Sequence, residues 1–171
     1  MSLKPQVSTS DHQQGSKTAI FEIVEFGDYQ CPYCGAAHPV MKQLMLAFGD
    51  HIRFIFRNFP LTEIHAFAWT AALAAEAAAQ QGKFWEMHDL LYENQQGLSA
   101  QLPRVLARKL KLDPEQFERD IAAARTSARV EGDFESGMRS GVNGTPTFFV
   151  NGSKFNGGAE ELFEMVRRNR G

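Results

Sequence analysis

Cys31 and Cys34 are the only two cysteines in this 171-residue chain. Two residues separate them, so their thiols can form a disulfide with each other. A cysteine thiolate can also attack a disulfide of another molecule, which makes such a pair able to exchange its disulfide reversibly. The pair therefore predicts redox chemistry at sulfur.

The sequence around the two cysteines predicts a junction between a strand and a helix. Residues 19–26 form a short apolar run of the kind found in buried strands. After the cysteines, Val40, Leu44 and Phe48 recur every four residues, as expected on one buried face of a helix. The cysteine pair should therefore lie at the N-terminus of that helix.

A helix N-terminus favours a thiolate, because its free backbone N–H groups and the positive end of its dipole stabilise an anion. Pro32 suits the first helical turn, where no backbone N–H is needed. We therefore expect Cys31 to have a lowered pKa and to act as the nucleophile. Cys34, one turn further along, should be less exposed and act as the resolving thiol.

Two other interpretations of the cysteines are weaker. A structural disulfide across so short a loop removes little chain entropy from the unfolded state. A zinc site could use Cys31, Cys34 and His38, but a structural zinc normally takes four ligands and the chain has no second cysteine pair. We therefore predict no metal site, and His51, His65 and His88 are too widely spaced to suggest one.

The composition is that of an ordinary globular protein, with 43% hydrophobic residues, 22% charged residues and a net charge of -2. It indicates no nucleic-acid partner and no basic membrane patch. The apolar segment 66–79 is too short to span a membrane. The N-terminus lacks the apolar core of a secretory signal, so we expect a cytoplasmic protein if the chain is complete, and a periplasmic or extracytoplasmic one if a leader was removed.

The order of predicted elements indicates an α/β fold interrupted by helices. Residues 1–18 read as a polar N-terminal tail or a loosely held edge segment. Residues 19–60 and 142–171 read as a βαβ … ββα core, with a hairpin signal at Asn151-Gly152. Residues 61–141 read as an inserted helical subdomain, in which Asp113-Pro114 should start one helix.

Two motifs, VEFGDYQCPYCG at residues 24–35 and GTPTFFVNG at residues 144–152, resemble the DsbA family of thiol-disulfide oxidoreductases. The similarity extends over nearly all of the chain from about residue 11. It implies a thioredoxin-like fold with a helical insertion. It also implies that Cys31 is the nucleophile, that Cys34 resolves, and that the peptide bond between Thr145 and Pro146 is cis.

Three further residues take their predicted roles from the same resemblance. Thr145 would offer backbone groups to an extended substrate beside the disulfide. Glu25 matches a buried acid of the family and could move protons to and from Cys34, although a strand glutamate can also face solvent. Tyr33 departs from the histidine typical of the best-known DsbA enzymes. Because neutral tyrosine stabilises a thiolate less than imidazolium does, we expect a weaker oxidant.

The sequence thus predicts a thiol-disulfide oxidoreductase acting on protein thiols and disulfides. The Cys31-Cys34 disulfide would be its redox group, with no other cofactor, and an unidentified redox partner would recycle it. We expect a monomer without a membrane span. The alternative is a redox-sensing or partner-binding domain without turnover, since similar domains also occur fused to transport proteins. A glutathione-linked transferase of related fold is less favoured, because such proteins lack the second cysteine.

Overall fold

A computed structural model describes residues 1–170 of the chain. A mixed five-stranded sheet forms its centre, and seven α-helices surround it. The strands are β1 His12–Gly15, β2 Phe21–Gly27, β3 Ile52–Asn58, β4 Thr147–Val150 and β5 Ser153–Lys154. The helices are α1 Pro32–Phe48, α2 Ala68–Ala79, α3 Phe84–Glu93, α4 Leu102–Lys109, α5 Pro114–Ala122, α6 Ala124–Arg139 and α7 Ala159–Asn169.

The strand order is β1-β3-β2-β4-β5, with β2 at the centre. Strands β2 and β3 are parallel and α1 connects them, while β4 runs antiparallel to β2. This confirms the predicted βαβ unit and places the start of α1 at the carboxyl end of the central strand. Side chains or loops at that end of an α/β sheet are well placed to bind ligands.

Within the polar N-terminal segment, residues 12–15 form edge strand β1, which pairs antiparallel with β3. The segment before β1 is also attached to the fold, because Leu3 is only 4% exposed and its N–H donates to Gly152. An edge strand has one free side, so the sequence His-Gln-Gln-Gly needs no apolar alternation. The polar composition of residues 12–15 therefore did not indicate a strand.

Helices α2 to α6 fall within residues 61–141, the segment predicted to be helical. Alanines cover much of α2 and are buried against α3, α5 and α6, because small side chains allow helices to approach closely. Asp113 caps α5 as predicted, with its carboxylate accepting from the Gln116 N–H. The residues Val130, Phe134 and Met138 recur every four positions of α6, which predicts one inward face, but Met138 is 59% exposed.

The chain returns to the sheet through the β4–β5 hairpin. Asn151 and Gly152 both have positive φ angles, of 49° and 84°, which match the predicted Asn-Gly hairpin turn. Helix α7 then packs against α1. Of the predicted core segment 142–171, residue 171 lies outside the described residues. Within residues 1–170, none of the helices combines the length and apolarity that crossing a membrane requires.

Candidate functional site

Cys31 and Cys34 occupy the predicted helix start. Cys31 is the N-cap residue of α1, and Pro32 is its first helical residue. Both thiols are free and buried, with Cys31 3% exposed and Cys34 fully enclosed. The structure thus describes the reduced pair, with the first cysteine nearer to the surface.

The carboxylate of Asp28 fixes the loop that carries Cys31. One oxygen accepts from the N–H groups of Gln30 and Cys31. The other accepts from the N–H of Leu61 and lies 2.8 Å from Nδ1 of His65. Sequence reasoning missed Asp28, although its position three residues before Cys31 was the available signal for such a turn.

The pKa values of the two thiols are shifted in opposite directions. The Cys34 thiol donates a hydrogen bond to the Cys31 sulfur, and this is the main reason why the pKa of Cys31 falls from 9.0 to about 5. Burial opposes the fall, and the N–H groups of Tyr33 and Cys34 support it. Burial raises the pKa of Cys34 well above 9.0, and its hydrogen bond to Cys31 raises it further. At neutral pH, Cys31 is therefore the thiolate and Cys34 the thiol.

The segment Thr145-Pro146 meets Cys31 in space. The peptide bond between these two residues is cis, as the resemblance implied. The Cys31 sulfur lies 3.5 Å from the carbonyl oxygen of Thr145 and can donate to it when protonated. The two sequence motifs, more than 100 residues apart, thus form one site.

A groove of about 430 Å³ adjoins the thiols and is open to solvent. Tyr33, Thr145 and Pro146 line one part of it, and the start of α7, including Glu160 and Glu161, lines another. The side chain of Tyr33 is 76% exposed. An extended peptide approaching Cys31 would meet both the tyrosine ring and the backbone before β4.

Glu25 lies on central strand β2, opposite Phe56 of β3 and Phe148 of β4. It is 2% exposed, so it does not face solvent as an ordinary strand glutamate would. Burial, with a smaller contribution from the negative charge of Cys31, raises the pKa of Glu25 to about 8. The charge of Glu25 in turn helps to raise the pKa of Cys34. The ionisation of Glu25 is therefore coupled electrostatically to that of both cysteines.

Gln95, in the 3-10 turn after α3, is a further residue at the site that the sequence did not reveal. Its side-chain Nε2 donates to the carbonyl oxygens of Tyr29 and Cys31, at 2.9 and 2.8 Å. Gln95 therefore holds the cysteine loop from the side of the inserted helices. Nothing in the sequence near Gln95 could have indicated this contact.

Two further aromatic residues lie at different distances from the thiols. Tyr29 packs in the same buried cluster as the cysteines, where it is 1% exposed and its hydroxyl lies 2.9 Å from Nδ1 of His88. Trp69 lines a separate small cavity together with Phe134. The ring of His88 also packs against Trp85, with centroids 5.1 Å apart.

Comparison with known proteins agrees with this geometry. The thioredoxin family model matches residues 7–167 of the chain. A thioredoxin-like oxidoreductase from Silicibacter pomeroyi is 31% identical, with a TM-score of 0.80 over 95% of this chain and 94% of that one. The alpha-DsbA1 protein of Wolbachia pipientis, at 17% identity, shares the fold with a TM-score of 0.83, over 95% of this chain and 92% of that one.

Curated relatives are longer proteins. The chain is 44% identical over 147 residues to the Na(+)/H(+) antiporter NhaA 1 of Salinispora arenicola, covering 86% of this chain but only 22% of the antiporter. The chain thus spans about a quarter of the length of such relatives. The chain therefore belongs to the thioredoxin family, and it shares the fold of alpha-DsbA1.

Proposed function

We propose that the protein is a thiol-disulfide oxidoreductase that exchanges the Cys31-Cys34 dithiol and disulfide with protein substrates. The observation that carries this proposal is the asymmetry of the two thiols beside Thr145-Pro146. The Cys31 sulfur, which lies 3.5 Å from the carbonyl oxygen of Thr145, has a lowered pKa, whereas burial and the Cys31 contact raise the pKa of Cys34. Sequential thiol-disulfide exchange requires two such sulfurs.

In the reducing direction, the Cys31 thiolate attacks one sulfur of a substrate disulfide. A mixed disulfide forms, and the other substrate sulfur leaves as a thiolate. Cys34 then loses its proton and attacks the Cys31 sulfur, which releases the second substrate thiolate and leaves the Cys31-Cys34 disulfide. In this direction the protein dithiol gives two electrons to the substrate disulfide. In the reverse direction a substrate dithiol gives two electrons to the Cys31-Cys34 disulfide.

Glu25 is our proposed acceptor and donor for the proton of Cys34. A carboxyl group with a pKa of about 8 can hold a proton or release it near neutral pH. Because it is charge-coupled to Cys34, ionisation of one group disfavours ionisation of the other. Glu25 would therefore act through Cys34 and not touch the substrate.

The acidity of Cys31 favours disulfide donation. A thiol of low pKa leaves readily as a thiolate, and a stabilised thiolate stabilises the reduced form of the pair. Tyr33 brings no positive charge to the site, and its ring lies mainly in solvent. We therefore propose a disulfide donor that is weaker than DsbA enzymes with histidine at this position. No cofactor other than the Cys31-Cys34 disulfide takes part in the steps above.

The proposal is tested by equilibrating the purified protein with glutathione redox buffers and by measuring insulin reduction and oxidative refolding of a reduced protein. Cys31→Ser should abolish all three activities, whereas Cys34→Ser should accumulate a mixed disulfide with the substrate. Tyr33→Phe is a matched control that keeps the exposed ring and both sulfurs. Failure of the wild-type pair to equilibrate with glutathione would exclude the proposed reaction.

A second candidate function is a redox-dependent binding domain without turnover. The observation in its favour is that the curated relatives are antiporters about four times as long as the matched segment. In this case the pair would still equilibrate with glutathione, but insulin reduction and refolding would stay at the uncatalysed rate. The two proposals therefore differ in turnover and not in the redox reaction of the cysteines.

A further inference from the structure

A second cavity, of about 580 Å³, lies between α1, α3 and the sheet. Its lining differs from that of the groove beside Tyr33. Three potential metal ligands line it together, namely His38 of α1 and His88 and Asp89 of α3. One donor atom from each of these side chains lies within 4.8 Å of the other two.

His38 is the first indication that this cavity binds a ligand. Its side chain is 92% enclosed, being only 8% exposed, and its Nε2 atom has no hydrogen-bond partner among residues 1–170. The nearest carboxylate oxygen, Oδ1 of Asp89, lies 3.7 Å away, beyond hydrogen-bond distance. An unpaired buried nitrogen costs free energy unless something binds it. Burial also lowers the pKa of His38, which keeps the ring neutral and able to ligate.

His88 is held in an orientation that suits a ligand. Its Nδ1 lies 2.9 Å from the hydroxyl of Tyr29, which leaves Nε2 as the available nitrogen. Rings of Phe56 and Tyr92 pack edge-on against it and fix its plane. If Nδ1–H donates to the Tyr29 oxygen, Nε2 carries a lone pair. Metal-bound histidines commonly have their second nitrogen oriented by such a partner.

Asp89 supplies the third donor. Its Oδ2 accepts from Nζ of Lys42 at 2.7 Å, so Lys42 orients the carboxylate. The other oxygen, Oδ1, is the one that faces His38. In a tetrahedral zinc site with bonds of about 2.0–2.1 Å, neighbouring ligand atoms lie roughly 3.3 Å apart. The 3.7 Å separation between His38 and Asp89 is close to that value, and a donor nitrogen of His88 lies within 4.8 Å of both.

We propose that His38, His88 and Asp89 form a binding site for a divalent transition metal, with Zn²⁺ as the reference ion. Two imidazoles and one carboxylate are a donor set that zinc accepts, and the cavity leaves a fourth position open to water. Neither Cys31 nor Cys34 lines this cavity, although Glu25 does, and the proposed binding does not depend on the proposed exchange reaction. Because His38 lies fifty residues before His88, sequence spacing did not indicate the cluster.

The test uses the 171-residue chain with the Cys31-Cys34 disulfide formed, so that no thiolate can bind the metal. After treatment with a chelator, the protein is titrated with Zn²⁺ in a calorimeter. We expect one ion per chain, and we expect His38→Gln and Asp89→Asn each to weaken binding at least tenfold. His51→Gln is the matched control and should bind like the wild type. Absence of binding by the wild type, or equal affinity in all four proteins, would overturn the proposal.

Cobalt absorption provides an independent measurement of the ligands. Co²⁺ bound by nitrogen and oxygen gives visible d–d bands without the ultraviolet charge-transfer band of a thiolate ligand. We expect such bands in the oxidised protein and their loss in His38→Gln. If Co²⁺ binds only after reduction and shows the thiolate band, the cysteines are the ligands and the His38-His88-Asp89 site is refuted. Circular dichroism of each variant confirms that it folds.

Discussion

The acidity of Cys31 leads to a prediction about how its reactivity depends on pH. With a pKa of about 5, Cys31 should react with iodoacetamide at nearly the same rate throughout neutral and mildly acidic pH. An ordinary cysteine, with a pKa near 8.5, should instead slow about tenfold for each unit below that value. The plateau is the expected signature of the hydrogen bond from Cys34.

The alkylation rate at a single pH does not reveal the pKa of Cys31. At pH 7 a thiol of pKa 5 is about 99% thiolate, whereas one of pKa 9 is about 1% thiolate. A thiolate loses nucleophilicity as its pKa falls, however, and a Brønsted coefficient of about 0.4–0.5 over four units costs roughly 40- to 100-fold. The two effects nearly cancel at pH 7. At pH 6 the acidic thiol should be about ten times faster, so the profile is more informative than one rate.

The assay follows alkylation of the reduced protein from pH 4 to pH 9, with mass spectrometry of peptides to assign the label to Cys31. We expect half-maximal rate near pH 5 and little change above pH 6.5. Cys34→Ala removes the hydrogen bond that lowers the pKa most, so its midpoint should move to higher pH. Cys34→Ser keeps a hydroxyl donor and should have a midpoint below that of Cys34→Ala.

Two results would refute this reasoning. A wild-type rate that climbs tenfold per unit between pH 6 and pH 8 would show that Cys31 is not acidic. A Cys34→Ala midpoint equal to that of the wild type would show that the Cys34 thiol is not the cause.

Three further predictions concern residues that support the site. Glu25 keeps a proton in the folded state between about pH 4.5 and pH 8 that the unfolded chain releases, so its contribution to stability falls as pH rises through that range. In urea unfolding at several pH values, the wild type should therefore lose stability relative to Glu25→Gln by up to about 1.4 kcal/mol per pH unit, and a constant difference would exclude the raised pKa. Arg57→Met should cost about 3–5 kcal/mol because it removes the guanidinium that pairs with the enclosed Asp11 carboxylate, whereas Arg104→Met at an exposed ion pair should cost under about 1 kcal/mol in the same measurement. Gly137→Ala should lower thermal stability by about 1–3 kcal/mol, since its added carbon would lie 2.6 Å from a buried phenylalanine ring, and Gly132→Ala, with open space on the same helix, should raise it.

Local signals in the sequence predicted the parts of the fold that local physics determines. The Asn151-Gly152 turn, the Asp113 cap and the helix start at Pro32 each depend on the conformational preferences of a few adjacent residues. Residues 12–15 were not predicted as a strand, because β1 forms through backbone pairing with β3 and such pairing does not determine the types of side chain.

The candidate site likewise contains residues that the sequence indicated and residues that only the packing of the helices brings together. The cysteine motif specified its own chemistry, and the family resemblance brought in Thr145 and Pro146 from the far end of the chain. The contacts of Gln95 with the cysteine loop, and of His38 with Asp89, depend on how α3 packs against α1. One sequence contains no signal for such long-range packing, because many other residue pairs have equally suitable chemistry.

The carboxylate of Asp28 has a consequence for how this architecture tolerates change. It binds the nucleophile loop with one oxygen, and with the other it binds Leu61 and His65, where the chain departs for the inserted helices. These hydrogen bonds fix residues 61–65 relative to the Cys31 loop, and they do not involve the helices that follow. Changes confined to the helices beyond residue 65 therefore leave these hydrogen bonds of Asp28 intact, whereas the packing around the thiols also depends on Gln95 and on the α3 residue His88 that contacts Tyr29.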